Sequence, residues 1–294
     1  MALLSGYQPP QRTVKAGQVW GLGPHRLMCG SSTNPRHLDR LFNGERASCL
    51  VTSPPYARMR HYANTFDGDF TGLMIGLFEC LPDHMVPDHQ CLINLGIKIE
   101  KGAVLSYHDK WLDWMINNNG YKLFNRYVWD KCTVGPADPS HLMRTFEDIY
   151  HFHRIKRMPN KTVRKKTTKI AEAYSGRRFV NGERKPKRIP TPNSQPDPLY
   201  RVADSIFRIS RDFRPGIRGK HPAVFPVALP QSLMAIWSDP GDIVFEPFSG
   251  SGSSVLAANN IGRRALAMEC VPKYVEIALS SWEAETGTKP VLLY

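Results

Sequence analysis

Ala47-Ser48-Cys49-Leu50-Val51-Thr52-Ser53-Pro54-Pro55-Tyr56 is the stretch on which the reading of this chain turns. Its first six residues are apolar or small and read as a short buried strand. Two consecutive prolines end it, because proline has no amide hydrogen for a ladder and holds φ near one value. The chain then leaves the sheet as a stiff, extended segment that presents backbone carbonyls, the Ser53 hydroxyl and the Tyr56 ring. A rigid set of acceptors beside an aromatic face suits a flat ring that carries an amino group. Taken alone, the tetrapeptide is equally a Pro-Pro turn with a surface tyrosine, so the rest of the chain has to decide.

Strand and helix patterns alternate on both sides of it. Val14 to Cys29 reads as a hairpin, Thr71 to Leu81 as a helix, and Gln90 to Gly96 as a buried strand. Trp111 to Ile116 reads as a helix stopped by Asn117–Gly120, and two strands follow at Leu123–Asp130 and Asp148–His153. From Arg154 to about Arg214 the chain is basic and proline-rich, without a clean period. The pattern then resumes with a helix at Leu229–Ser238, a strand at Ile243–Phe245, a helix at Ser253–Asn260, a strand at Arg264–Met268 and a helix at Lys273–Glu285. This alternation predicts an α/β fold with a doubly wound, mostly parallel sheet. It divides into residues 1–153, a basic insertion at 154–214, and residues 215–294.

The second informative stretch is Phe248-Ser249-Gly250-Ser251-Gly252, between the strand at Ile243 and the helix at Ser253. Glycines there let backbone approach a ligand closely, and the helix start can accept an anionic group such as an amino-acid carboxylate. Glu269, at the end of the next strand, stands where an acid commonly bonds ribose hydroxyls. The turn lacks a full G-x-G-x-x-G.

The 294 residues carry a net charge of +13, and its placement is uneven. Arg154 to Arg188 hold fourteen Lys/Arg against two Asp/Glu, whereas the remainder holds 25 against 24. A local block of this kind points to a polyanion held at one face. The six cysteines include no C-x-x-C pair and no zinc-type cluster with histidine, which predicts free thiols, a cytoplasmic location and no metal. The N-terminal residues lack the basic lead and long apolar run of a secretory signal, and no apolar run is long enough to predict a membrane span.

Together the two motifs resemble the amino-methyltransferases of DNA, in which a D/N/S-P-P-Y/F/W loop and an F-x-G-x-G loop divide the work. Their order is similar to that of the β class: catalytic motif first, target recognition next, cofactor motif last, a circular permutation of the usual order. The resemblance implies S-adenosylmethionine as cofactor and double-stranded DNA as partner. It implies a catalytic loop of Ser53, Pro54, Pro55 and Tyr56, with cofactor contacts from Glu246, Phe248, Ser249, Gly250, Gly252, Ser253, Ser254 and Glu269. His221 resembles the segment lining the methionine end. Ser31 and Glu246 each depart from the Asp usual at their positions. The basic insertion lies where the class keeps target recognition. There Arg164, Lys165, Lys166, Arg177, Arg178, Arg184, Lys185, Lys187 and Arg188 are expected to meet DNA, mostly at phosphates.

An exocyclic amino group is a poor nucleophile because its lone pair is delocalised into the ring. Acceptors at Ser53 Oγ and the Pro54 carbonyl would bond its hydrogens and aim the lone pair at the methyl, after the base is extruded and stacked on Tyr56. The lack of a Pro-Cys pair argues against methylation at cytosine carbon 5, which needs a thiolate. Within the family a leading Ser is more usual for cytosine N4 and Asp for adenine N6, so cytosine N4 is expected. Adenine N6 and an RNA base amino group are the alternatives, and a retired, non-catalytic scaffold is a further one. A separate restriction endonuclease is a conceivable partner, and the oligomeric state stays open between monomer and homodimer.

Overall fold

A computed structural model describes residues 12–55, 69–132, 142–165, 177–180, 183–186, 199–211 and 225–294, with backbone alone for 177–180 and 183–186. The N-terminal half begins with the hairpin β1 (Val19–Leu22) and β2 (His25–Cys29), then α1 (Pro35–Phe42), β3 (Ala47–Thr52), α2 (Phe70–Cys80) and β4 (Met85–Leu95). A small hairpin, β5 (Lys98–Glu100) and β6 (Ala103–Leu105), leads to α3 (Asp109–Asn117), β7 (Lys122–Asp130) and β8 (Phe146–His153). The basic stretch contributes β9 (Val163–Arg164), β10 (Arg177–Val180), β11 (Glu183–Pro186), β12 (Tyr200–Arg201) and β13 (Ile206–Arg208). The chain closes with α4 (Ala228–Trp237), β14 (Ile243–Glu246), α5 (Ser253–Asn260), β15 (Arg264–Glu269), α6 (Pro272–Thr286) and β16 (Val291–Leu292).

Ten strands form one sheet in the order β13-β7-β8-β4-β3-β14-β15-β2-β1-β16. The pairings from β4 through β2 are all parallel, and only β8 and β1 run against the common direction. Side-chain alternation then sorts the apolar residues into two cores. Cys49 and Val51 of β3 join the core beneath α4, α5 and α6, while Leu50 joins the core beneath α1, α2 and α3. All six residues of β3 are buried, as expected for a strand covered on both faces.

β3 connects through α2 to β4 on one side, and β14 connects through α5 to β15 on the other. The winding therefore reverses between β3 and β14, which are paired in register Val244↔Cys49 and Phe245↔Leu50. Open α/β sheets bind ligands at this reversal, outside the carboxyl ends of the strands.

Two features differ from the sequence reading. No element is expected between Gly30 and Glu45, yet α1 forms there, with Asn34 Oδ1 accepting from the Arg36 amide and Pro35 in the first turn. Those are ordinary helix-start signals. The basic stretch is also tied to the body at both ends. Asn160 Nδ2 donates to the Ser238 carbonyl at 2.7 Å, the Ala235 carbonyl at 3.2 Å and Asp239 Oδ1 at 3.0 Å. Arg157 pairs with Asp239, and Arg154 lies 4.7 Å over the Tyr121 ring, so the first arginines of the block serve packing. At the other end β13 pairs in parallel with β7, placing Phe207 in the core.

Asn160 thus satisfies the last turn of α4. Asn160→Ala should cost about 1–2 kcal/mol, and it should lower the melting temperature by roughly 2–4 °C per kcal/mol. An unchanged melting temperature would show that the segment is not held this way.

Candidate functional site

Five neighbouring strands, β4, β3, β14, β15 and β2, end side by side at the reversal point. Asn94 lies near the end of β4, Ser53 just past β3, Glu246 ends β14, Glu269 ends β15, and Ser31 lies two residues past β2. With neighbours about 4.8 Å apart, this row of strand ends is roughly 20 Å long. Two stretches nearly two hundred residues apart in sequence are thereby brought together.

The Gly-rich turn is shaped by its backbone. Gly250 and Gly252 have φ of 51° and 80°, in the left-handed region. A Cβ on Gly252 would also lie 3.0 Å from the Ala278 Cβ of α6, so this turn packs against a helix with no room for a side chain. Ser249 N donates to the Met268 carbonyl at 2.7 Å, and Gly250 N donates to Glu269 Oε2 at 3.0 Å, tying the turn to β15. Phe248 packs partly buried against the α1–α3 core. Ser249 Oγ is buried and has no hydrogen-bond partner among the described residues.

Glu246 joins the turn to the Pro-Pro loop. Its Oε1 accepts from Thr52 Oγ1, on β3 immediately before Ser53, and from Phe248 N at 3.0 Å. Its Oε2 accepts from Ser254 Oγ, in the first turn of α5, at 2.7 Å. The side chain is buried, and desolvation raises its carboxyl to about 7 against the opposing pull of these hydrogen bonds, with the Glu269 charge adding to the rise. Glu269 is raised as well, chiefly by burial, while the Val271 and Gly250 amides pull the other way. Two buried carboxyl groups at the ends of adjacent strands make a site that favours a cation.

On the other flank, Asn94 Nδ2 lies 3.5 Å from Ser53 Oγ and donates to Glu147 Oε2 at 2.6 Å. Glu147 pairs with Lys131 at 2.6 Å. Trp129-Asp130-Lys131 and Glu147-Asp148-Ile149-Tyr150 resemble less specific motifs of the family's catalytic half, whereas nothing in the sequence reading singles out Thr52. Thr52 is the polar last residue of buried β3, whereas Lys131 follows β7 and Glu147 is the second residue of β8. Trp129 and Tyr150 are core aromatics.

Ser31 lies near the turn but is occupied locally. Its Oγ is 2.8 Å from Thr33 Oγ1, and its amide donates to His37 Nδ1 at 3.1 Å. Ser253 is buried, its Oγ 3.5 Å from Ser251 Oγ. Pro54 is buried and Pro55 half-buried. Arg164 and Lys165 lie on and beside β9, which pairs with β12. Tyr56, His221, Lys166, Lys187 and Arg188 lie outside the described residues. Arg177, Arg178, Arg184 and Lys185 fall on the β10–β11 hairpin, described in backbone only. Among the described residues no group of three His, Cys, Asp or Glu could hold a metal, and no helix is long and apolar enough to cross a membrane.

A family model described as DNA methylase matches residues 47–280, a span that contains both motifs. The orphan methyltransferase M.BamHII of Bacillus amyloliquefaciens is 26% identical over 235 residues, covering 78% of this chain and 85% of that protein. The type II methyltransferase M.PvuII of Proteus hauseri is 26% identical over 267 residues, covering 80% and 77%. Among solved structures, the PvuII DNA methyltransferase (cytosine-N4-specific) superposes with a TM-score of 0.61 at 20% identity, over 87% of this chain and 84% of that one. TTHA0409 from Thermus thermophilus, a putative DNA modification methylase solved with S-adenosyl-L-methionine, gives 0.55 at 24% identity, over 90% and 97%.

Because folding raises the Glu246 carboxyl, the folded protein holds that proton more tightly than the unfolded chain. The resulting stability is fully present below about 4.5 and is lost as pH rises through about 7. Glu246→Gln keeps the shape and cannot titrate. Between pH 5 and pH 8 the stability of the native protein should fall relative to this variant by about 2–3 kcal/mol at 1.36 kcal/mol per pKa unit. Thermal melts across that range check it; a constant difference between the two proteins would refute the assignment.

Proposed function

This chain belongs to the DNA methylase family that matches most of its length, and from that premise we propose that it methylates cytosine N4 in double-stranded DNA, using S-adenosylmethionine. The observation that carries the reading is the Glu246 joint. It locks Thr52, next to Ser53, to the Gly-rich turn through Phe248 N and Ser254, so the acceptor loop and the cofactor cleft share one end of the sheet.

The residues present fit the cofactor. S-adenosylmethionine carries sulfonium and ammonium charges, ribose hydroxyls and a carboxylate. Two buried carboxyl groups with raised affinity for protons lie beside the turn, and either is better ionised with a cation in place. The Ser249 hydroxyl needs a partner. Gly250, Gly252, Ser253 and Ser254 form the turn and helix start assigned to the cofactor, and Glu269 is assigned to the ribose hydroxyls. Ser31 and His221 are assigned to the cofactor by their place in the family pattern alone. When bound, the cofactor supplies an electrophilic methyl group.

Ser53 Oγ and the Pro54 carbonyl accept the two amino hydrogens of the extruded base. Its nitrogen becomes pyramidal, and the lone pair attacks in line. With the cofactor bound, its methyl would pass to that nitrogen, the sulfur keeping the electron pair of the broken carbon–sulfur bond and the amino group giving up one proton. Tyr56 has the stacking role by motif position. The serine at 53 supports cytosine N4 over adenine N6. So does the sequence relationship to M.PvuII, whose structure is described as cytosine-N4-specific. Residues 154–214 are assigned to target recognition, with Arg164, Lys165, Lys166, Arg177, Arg178, Arg184, Lys185, Lys187 and Arg188 at the DNA. Residues 1–153 and 215–294 form the catalytic and cofactor halves.

Nucleoside mass spectrometry of DNA incubated with protein and cofactor should show N4-methylcytosine. N6-methyladenine as the sole product would overturn the base assignment, and methyl incorporation into structured RNA but not duplex DNA would overturn the polymer. Ser53→Ala should reduce transfer at least about a hundredfold, the scale of losing one transition-state hydrogen-bonding group, while DNA binding is kept. Affinity for DNA should also fall steeply with salt, with a log–log slope of about −0.9 per phosphate neutralised; a flat response would remove the basic segment from the interface.

A further inference from the structure

Behind Ser53 runs a line of buried polar groups that the transfer does not consume. Asn94, 1% exposed, donates through Nδ2 to Glu147 Oε2 at 2.6 Å, and the same nitrogen stands 3.5 Å from Ser53 Oγ. Glu147 Oε1 lies 2.6 Å from Lys131 Nζ, with both side chains nearly buried. The Lys131 ammonium is 5.5 Å from the centre of the Trp129 ring, and Trp129 Nε1 is anchored on the Ile209 carbonyl at 2.7 Å. The groups come from β4, from β8 and from the residue after β7, three neighbouring strands of the sheet.

An ion pair withdrawn from water is a poor source of stability, since desolvation offsets its attraction. Its consequence here is orientation. A carboxylate paired with an ammonium presents only acceptor oxygens, so it dictates which end of the Asn94 amide faces it. The amide nitrogen is thereby turned toward both Glu147 and Ser53. In the contact with Ser53 the serine oxygen is the acceptor, and the Asn94 amide nitrogen has no means of taking the serine's proton. Ser53 stays a neutral hydroxyl whose position is set from behind, placed to accept a substrate amino hydrogen.

We propose that Glu147 and Lys131 are positioning residues for Ser53, acting through the Asn94 amide; this rests on the amino-methyl transfer reading above. The readout is single-turnover transfer of labelled methyl groups from S-adenosylmethionine to unmethylated genomic DNA, measured for rate constant and amplitude separately. Glu147→Leu should slow the rate constant about tenfold, the scale of one misplaced hydrogen bond. Amplitude, cofactor affinity and DNA affinity should stay within about twofold, because both binding surfaces are untouched. Glu147→Gln, which keeps an acceptor for Asn94, should recover most of the rate. The double variant Asn94→Ala with Glu147→Leu should be no slower than Asn94→Ala alone, since Glu147 acts only through that amide.

Should Glu147→Leu fold poorly with Lys131 stranded, Lys131→Met with Glu147→Leu replaces the pair by apolar side chains and should show the same rate loss at full amplitude. Native rates in either variant, losses in amplitude alone, or multiplying effects of Asn94 and Glu147 would overturn the proposal. Native protein that transfers no methyl group in the same assay would instead overturn the reading on which it rests.

Discussion

The site depends on one buried carboxyl group. Glu246 ends β14 and accepts from Thr52 on one side and from Phe248 N and Ser254 on the other. Removing it would leave several donors without an acceptor in a region closed to water, a cost larger than that of any one hydrogen bond. The carboxyl group thereby ties two loops that share no local chain. It is held out of water at a real electrostatic cost, seen in its raised affinity for a proton. That stored preference suits a positively charged ligand, beside which an ionised carboxylate gains a partner. Stability and function thus pull the same group toward different protonation states.

The sheet explains why such a joint is available. Parallel strands from β4 to β2 all deliver their carboxyl ends to the same edge, and the winding reverses between β3 and β14. A strand end beside a reversal has no crossover helix above it, so loops there are exposed to ligand while the strands beneath them are packed on both faces. The loops are consequently rigid at their roots. Pro54 and Pro55 stiffen one, and the packing of Gly252 against Ala278 stiffens the other. A transfer that depends on placement needs little more from the protein than this rigidity and a dry electrostatic setting.

Much of the fold was legible in the chain. The six residues of β3 and the eight of α5 were read at their observed ends, because each is bounded by an unambiguous signal: a proline pair in one case, a glycine turn in the other. Boundaries differ where such punctuation is weaker, as at β4, which starts five residues before the apolar run because exposed Pro87 and Asp88 interrupt the apolar pattern. The charge of the basic stretch was read as one block, yet Arg154 and Arg157 are absorbed into packing against Tyr121 and Asp239. Composition counts charges and says nothing of what each one faces.

The sequence by itself determined that a strand must end at Ser53, that a tight turn must follow β14, and that the proline motif precedes the glycine turn by nearly two hundred residues. Those are local constraints, set by the missing amide hydrogen of proline and the missing side chain of glycine. Only the tertiary structure decided that Thr52 meets Glu246, that Asn94 stands between Ser53 and the Glu147–Lys131 pair, and that Ser31 is engaged with its own loop. These contacts join strands through hydrogen bonds across the sheet, and their partners follow from strand order and register. Neither is written in any local stretch of the chain.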